Sequence, residues 1–255
     1  MKKLALLCAM ALVLAALSVP QVYAVDITIP DTQVGAGDPW WINPLETNET
    51  EPGTLTGKVW DLQTFQQTGA SITMTGGYNF KDGYGGFAPG DLFIAANTAK
   101  PLFGSGAPGS NPTLKNVYGY NYVVVPDSSA YATYSVYAID ADTAVQLTTY
   151  FRFSDPWLAT VASGNKVGGG TLLYTSNPGT GGNDFTLDYV GLLNQIPGYD
   201  AASYAYLHYT YQCGNDFMMG SAQGFQVPLP PSALLLGSGL LGLVGLGWRR
   251  RKTNV

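Results

Sequence analysis

Charged side chains are scarce in this sequence. Asp, Glu, Lys and Arg make up 11% of the 255 residues, whereas an average soluble protein has about 25%. The apolar and charged heptads of a coiled coil are absent, and so is the three-residue glycine period of collagen. Because 46% of the residues are hydrophobic, a highly charged disordered chain is also excluded. The length allows one large domain or two small ones.

Glycine, proline and tyrosine are abundant instead, with 32, 16 and 17 residues. β-Branched and aromatic residues dominate several stretches that Gly, Pro and Asn residues separate, which is typical of strands joined by turns. We predict strands at residues 55–61, 70–75, 91–95, 117–125, 131–139, 144–153, 171–174, 185–188 and 203–213. Turns are predicted at 168–170 and 177–183, among others, and one or two helical turns at 187–195. Residues 25–226 are therefore expected to form one all-β domain, a β-sandwich or jelly roll, after an irregular lead-in at 25–52.

The N-terminus has the pattern of a secretory signal peptide. Lys2 and Lys3 precede an apolar run, and the small-residue site at 22–24 predicts cleavage between Ala24 and Val25. Cys8 lies in the middle of that run, so the pattern of a lipoprotein signal does not fit.

One cysteine and one histidine remain after this cleavage, namely Cys213 and His208. A single cysteine cannot form an intrachain disulfide. Residues five apart in a regular strand point to opposite faces of the sheet, and zinc needs three or four nitrogen or sulfur ligands. We therefore expect both side chains to be structural.

The C-terminus has three ordered elements. A proline-rich motif occupies residues 227–232, an apolar segment runs over 232–248, and four cations follow at 249–252. The apolar segment reaches about 26 Å as a helix, the lower limit for crossing a bilayer. The cations favour a cytoplasmic end, so residues 25–226 are expected outside the inner membrane of the precursor. The motif residues are Val227, Pro228, Leu229, Pro230, Pro231 and Ser232, and the cations are Arg249, Arg250, Arg251 and Lys252.

This tail resembles the PEP-CTERM sorting signal of Gram-negative bacteria. The family has a Val-Pro-Glu-Pro motif, a Gly-interrupted apolar helix and a terminal Arg cluster; Leu229 stands where the family has Glu. A second block is similar to exported proteins of this type: His208, Thr210, Cys213, Gly214, Asn215 and Asp216. The resemblance implies processing by an exosortase-like membrane protease, a mature form at the cell surface or outside the cell, and an exopolysaccharide or biofilm context.

The charge of the exported part limits its partners. Six of the 12 basic residues, and none of the 17 acidic residues, lie in residues 1–24 and 227–255, so residues 25–226 carry a formal charge of −11. Such a surface repels nucleic acid and anionic lipid.

The exported part carries no catalytic motif, because a Gly-x-Ser-x-Gly elbow, a phosphate loop and a distinctive carboxylate pair are all missing. No catalytic or cofactor-binding residue is predicted. Asp140 and Asp142 are weak calcium candidates, although the full ligand set of a calcium loop is absent. Trp40, Trp41, Trp60 and Trp157 are interpreted as packing residues, unless exposed rings provide a sugar platform. The sequence favours a non-enzymatic surface or matrix protein; the alternatives are a carbohydrate-binding module and a secreted hydrolase.

Overall fold

The computed structural model describes residues 24–29, 59–68, 71–98, 113–127, 132–150, 154–177, 182–200, 203–214 and 216–223. These residues contain thirteen strands and one short α-helix, α1 (Tyr189–Asn194). The strands are β1 (Ala24–Asp26), β2 (Leu62–Thr68), β3 (Ser71–Gly76), β4 (Leu92–Ala96), β5 (Thr113–Lys115), β6 (Tyr122–Pro126), β7 (Thr133–Ala138), β8 (Ala144–Gln146), β9 (Leu158–Ala159), β10 (Lys166–Asn177), β11 (Gly182–Asp188), β12 (Tyr204–Thr210) and β13 (Phe217–Gln223). The all-β prediction is confirmed.

Ten of these strands form one antiparallel sheet in the order β1-β2-β3-β11-β10-β7-β6-β4-β12-β13. Strand β10 divides this sheet into two halves. Its first half pairs with β7, from Lys166 to Thr171, and its second half pairs with β11, from Leu172 to Asn177. The long strand therefore connects both halves, and the remaining strands β5, β8 and β9 form a separate three-stranded sheet.

One apolar cluster lies between the two halves of the ten-stranded sheet, and a second lies between that sheet and the three-stranded sheet. The first joins Phe65 and Met74 of one half-sheet to Ile94 and Leu207 of the other. The second lies between Phe93 on the opposite face of β4 and residues of the small sheet such as Val145. All five residues of β4 are buried, because its alternate side chains enter different clusters. The arrangement is sandwich-like, with β4 buried on both faces.

Several strand predictions agree with the structure, including those that match β3, β4, β7 and β12. Helix α1 lies within the predicted helical stretch at 187–195. Asn177 pairs with Gly182 across the predicted turn at 177–183, and residues 178–181 lie outside the described residues. The stretch at 117–125 is a strand only from Tyr122 onward.

Four other predictions are wrong in part. The glycines at 168–170 belong to β10 and pair with β7 instead of turning. A Cβ on Gly170 would lie 2.6 Å from the hydroxyl of the buried Tyr134 side chain, so glycine here makes room for a ring. In the described part of the stretch at 144–153, which ends at Tyr150, only β8 is a strand, and the lead-in begins with β1. The predicted strand at 55–61 is wrong where it is described, because Val59 and Trp60 lie in a turn and β2 begins only at Leu62. Strand β13 is not predicted from the sequence.

Candidate functional site

Four aromatic side chains form a partly exposed cluster near Tyr211, just beyond the end of β12. We call the side chains of Trp60, Tyr84, Phe87 and Tyr150 the aromatic surface. Tyr84 is 48% exposed and Tyr150 is 66% exposed, while Trp60 and Phe87 are half-buried. Large aromatic rings are usually packed away from water, so this exposure distinguishes the cluster from the two cores.

A tight turn sets the positions of Tyr84 and Phe87. The two residues exchange backbone hydrogen bonds of 3.2 and 3.0 Å across Gly85 and Gly86. Both glycines have positive φ, 61° and 86°, which is the geometry of a type I′ turn. A Cβ on Gly85 would lie 3.1 Å from two atoms of the Trp60 ring. Gly85 therefore lets the turn lie directly against the indole.

The rings of the aromatic surface meet edge to face. The centroids of Trp60 and Tyr84 are 5.0 Å apart with an interplanar angle of 80°. Phe87 lies 5.9 Å from Trp60 at 64° and 5.7 Å from Tyr150 at 70°. This is the geometry that aromatic quadrupoles prefer. The contacts connect residues from three separate parts of the chain and restrict the orientation of each ring.

Two buried tyrosines, Tyr78 and Tyr211, form hydrogen bonds to the backbone of this cluster from the protein interior. The Tyr78 hydroxyl donates to the Phe87 carbonyl oxygen at 2.9 Å, and the Tyr211 hydroxyl donates to the Trp60 carbonyl oxygen at 2.6 Å. Their rings are fully buried. The backbone of Trp60 and Phe87, the residues on which the exposed rings pack, is therefore held in place before any ligand binds, and this lowers the ordering cost of binding.

Exposed aromatic faces of this kind suit carbohydrate rings. A pyranose has apolar C–H faces that stack on flat apolar rings, and Tyr hydroxyls supply polar contacts at the rim. Of the tryptophans named in the sequence, Trp60 lies in the aromatic surface and Trp157 is 7% exposed. Trp40 and Trp41 lie outside the described residues.

His208 is a packed core residue, as the sequence predicts. Its Nε2 lies 3.0 Å from the Pro156 carbonyl oxygen and its Nδ1 lies 2.9 Å from the Met219 sulfur. The ring is fully buried and stacks on Tyr120 at 5.6 Å. Burial lowers the pKa of His208 to about 4, so the ring is neutral at pH 7. Because a carbonyl oxygen can only accept, the hydrogen bond to Pro156 requires the proton on Nε2. The imidazole is neutral and inaccessible to a substrate.

Cys213 packs in the first cluster at 4% exposure. The following Gly214 has φ of 70°, as predicted for the turn there, while Asn215 lies outside the described residues. Within the described parts of the chain, no group of three or more His, Cys, Asp or Glu side chains could hold a metal ion.

Asp140 and Asp142 lie in one turn, but their carboxylates have different partners. Asp140 Oδ1 accepts hydrogen bonds from the backbone N–H groups of Asp142 and Thr143 and from the Thr143 hydroxyl. The Thr143 hydroxyl and then the Asp142 N–H hold the pKa of Asp140 below its usual value. Asp142 forms an exposed ion pair with Lys115 at 2.5 Å. Asp140 also lines an open depression of about 360 Å³. Calcium binding by this pair stays a prediction.

Asp91 is a buried carboxylic acid that sequence reasoning missed. It is 3% exposed, and its Oδ2 accepts a hydrogen bond of 2.9 Å from the Ala159 N–H. Burial raises the pKa of Asp91 to about 7, although the Ala159 hydrogen bond opposes that shift. The residue precedes β4 and has no motif around it, so its burial follows only from the tertiary fold. It lies away from the surface and cannot contact a polymer.

The targeting elements lie largely outside the described residues. These include the signal sequence before Ala24, the proline motif, the apolar segment at 232–248 and the basic tail. The predicted cleavage site between Ala24 and Val25 falls at the start of β1, where Val25 is 54% exposed. Among the residues that the structure describes, none belongs to a helix long and apolar enough to span a membrane.

The fold and this surface together define a class: an all-β protein that presents clustered aromatic rings to solvent. No family model, curated protein or solved structure matches the chain.

Proposed function

We propose that this protein is a non-enzymatic, exported cell-surface or matrix protein that binds exopolysaccharide through the aromatic surface. The observation that carries the proposal is the exposure of Tyr84 and Tyr150. Their rings pack against Trp60 and Phe87, whose carbonyl oxygens accept hydrogen bonds from buried tyrosine hydroxyls. Exposed, pre-ordered rings are the feature that separates a carbohydrate-binding module from an inert sandwich. The proposal thus joins the surface-protein interpretation of the sequence with its carbohydrate-binding alternative.

The charge of the exported part narrows the class of polysaccharide. Residues 25–226 carry a formal charge of −11, which repels uronic-acid or sulfated polymers at low ionic strength. Stacking on an aromatic ring needs no charge on the ligand. A neutral hexose polymer is therefore the proposed ligand.

The absence of catalysis is part of the same proposal. A glycosidase needs two facing carboxyl groups some 5–10 Å apart in an open cleft. Asp91, whose pKa is raised to about 7 by burial, lies in the interior against backbone groups. His208 is equally enclosed by Tyr120 and Pro156. Both groups fit a structural role better than that of a general acid or base.

Export and sorting complete the proposal. Residues 1–24 act as a signal peptide, residues 25–226 form a single sandwich or jelly-roll domain, and residues 227–255 act as a PEP-CTERM-like signal. The precursor is held in the inner membrane by residues 232–248. An exosortase-like protease then cuts near the proline motif, and the mature form reaches the surface of a Gram-negative cell.

Affinity electrophoresis tests the ligand class directly. The exported protein is run in native gels that contain a neutral glucan, a neutral mannan, an acidic polysaccharide or no polymer. We expect slower migration in at least one neutral gel and unchanged migration in the acidic gel. Unchanged migration in every neutral gel, or retardation in the acidic gel alone, contradicts the proposal.

Mass spectrometry of surface-localised protein tests the sorting route separately. We expect an N-terminus at Val25 and a C-terminus near Pro228–Ser232. Deletion of Arg249–Lys252 removes the stop-transfer charges, and we expect it to block processing. Intact tails through Val255 on surface protein contradict sorting and favour plain membrane anchoring.

A further inference from the structure

Residues 24–29 connect the two ends of the ten-stranded sheet. β1 pairs with β2 at one end. The chain then continues along β13 at the other end, where the Ile29 N–H donates to the Met219 carbonyl oxygen at 2.8 Å and the Ser221 N–H donates to the Ile27 carbonyl oxygen at 3.0 Å. We call residues 24–29 the closing segment, because it supplies backbone partners to both end strands at once.

Side chains reinforce this position on the β2 side. The Thr28 hydroxyl accepts a hydrogen bond of 2.9 Å from the Phe65 N–H and donates one of 2.6 Å to Asp26. The Ile27 N–H donates to the Phe65 carbonyl oxygen at 2.9 Å. Thr28 also forms an isolated antiparallel bridge with Gly220 of β13. The closing segment is therefore held mainly by backbone hydrogen bonds.

The closing segment buries little apolar surface. All three residues of β1 are exposed, Ile27 is half-buried against the first cluster, and only Ile29 is buried, at 6% exposure. The central strand β4, in contrast, is buried along its whole length. Few apolar contacts mark the parts of a fold that open at low free-energy cost.

The connection between this segment and the rest of the sheet is long in sequence. Twenty-nine residues separate Ile29 from Val59, and a connection of that length can span up to about 100 Å. Strands β2 and β3, by comparison, are joined by only two residues. The covalent chain therefore does not dictate which copy of the sheet receives the segment.

We propose that the closing segment is exchanged between copies, so that residues 25–29 of one mature molecule, which remain after the predicted cleavage, occupy the site between β2 and β13 of another. A second copy of this chain is the partner, because its segment makes the same hydrogen bonds in the same register. Because the segment is covalently linked to its own sheet, its effective concentration there is on the order of millimolar. The closed monomer therefore dominates in dilute solution, and exchanged assemblies form in a dense surface layer. This inference does not depend on polysaccharide binding.

A pair of cysteines placed across β1 and β2 can trap the exchange. Asp26 and Gln66 are register partners, and the Ile27–Phe65 hydrogen bond makes them a non-hydrogen-bonded pair. Such pairs have Cα atoms about 4.5 Å apart, within the range for a disulfide. Full-length chains with Asp26→Cys and with Gln66→Cys, carrying different tags, are co-expressed and exported to an oxidising compartment.

We expect disulfide-linked heterodimers of the two chains on a non-reducing gel. The matched control pairs Asp26→Cys with Thr175→Cys, an exposed position on β10, and we expect at least fivefold less heterodimer from it.

A single chain with both Asp26→Cys and Gln66→Cys forms an intramolecular disulfide that locks β1 to its own β2. Light scattering at millimolar concentration should show dimers and larger species for the wild type and monomers for the locked chain. The proposal is overturned if the two cysteine pairs give equal heterodimer, or if the wild type stays monomeric at every concentration.

Discussion

Tyr78 and Tyr211 stack nearly parallel, with ring centroids 4.1 Å apart and an interplanar angle of 13°. Each ring turns its hydroxyl toward the backbone of a different aromatic-surface residue, Phe87 for Tyr78 and Trp60 for Tyr211. The stacked pair therefore ties a turn at residues 84–87 to a residue that precedes β2.

Removal of the Tyr211 hydroxyl should loosen the aromatic surface. Tyr211→Phe loses the hydrogen bond to the Trp60 carbonyl oxygen, and we expect a loss of about 0.5–1.5 kcal/mol in the free energy of unfolding. Polysaccharide affinity should fall severalfold, because the backbone of Trp60 is no longer fixed. Urea unfolding and affinity electrophoresis measure the two effects.

Tyr120→Phe provides the matched control. The Tyr120 hydroxyl is buried and has no hydrogen-bond partner among the described residues, so its removal should leave stability unchanged or raise it. An equal loss of stability in both variants would show that the Tyr211 hydrogen bond has no special role.

Asp91 should make the protein less stable as the pH rises. Its pKa is raised from 3.8 to about 7 by burial, so its contribution to stability is fully present below pH 3.8 and is lost as the pH rises through 7. The shift corresponds to at most about 4 kcal/mol. We expect Asp91→Asn to be more stable than the wild type at pH 8, and this advantage to disappear near pH 4. Urea unfolding at pH 4, 6 and 8 provides the measurement.

Asp142→Asn is the control for that experiment. Its carboxylate is exposed and paired with Lys115, and an exposed pair screened by solvent contributes little to stability. If Asp91→Asn and Asp142→Asn show the same pH dependence, burial of Asp91 does not govern the stability profile.

His208 should have the opposite effect on the pH profile. Its pKa is lowered from 6.5 to about 4 by burial, so its stabilising contribution is fully present above pH 6.5 and is lost as the pH falls through 4. The loss amounts to about 3 kcal/mol. We expect His208→Gln to lower stability at pH 7 but to flatten its decline between pH 6.5 and 4. A decline as steep as that of the wild type would contradict this role.

Gly170 should not tolerate a side chain. A Cβ there would lie 2.6–2.9 Å from the ring and hydroxyl of Tyr134, which is 2% exposed and cannot move aside. We expect Gly170→Ala to cost about 1–3 kcal/mol of unfolding free energy. Gly164→Ala is the control, because its Cβ would meet no atom within 4 Å. Thermal unfolding compares the two variants, and equal melting temperatures would contradict the packing explanation.

The sequence predicts those strands whose composition matches their environment. β7 has alternating small and large residues, and β4 is a continuous apolar run, so both are recognisable locally. β2 is rich in Gln and Thr, and it is a strand because β1 and β3 pair with it. The glycines of β10 have turn composition, but they serve the packing of Tyr134 and Gln195. Local propensity indicates neither which strands will pair nor which side chains will pack against a glycine.

The aromatic surface could be anticipated only in part. Trp60 is a candidate for sugar stacking on chemical grounds, and Gly85-Gly86 indicates a turn. Tyr150 joins them across some 60 residues of sequence through its contact with Phe87. A contact between residues so far apart in the sequence depends on the order of strands in the sheet, which residue patterns do not specify.

One measurement tests the central claim most directly: the affinity of the exported protein for a neutral polysaccharide, before and after removal of the two exposed rings. We expect Tyr84→Ala/Tyr150→Ala to weaken binding by roughly tenfold or more with little change in melting temperature. Tyr204→Ala is the matched control, since Tyr204 is 49% exposed but lies near the other end of β12, about 23 Å along the strand from Tyr211. Its affinity should equal that of the wild type. Unchanged binding by the double variant, or an equal loss in Tyr204→Ala, would contradict the proposal that the aromatic surface binds polysaccharide.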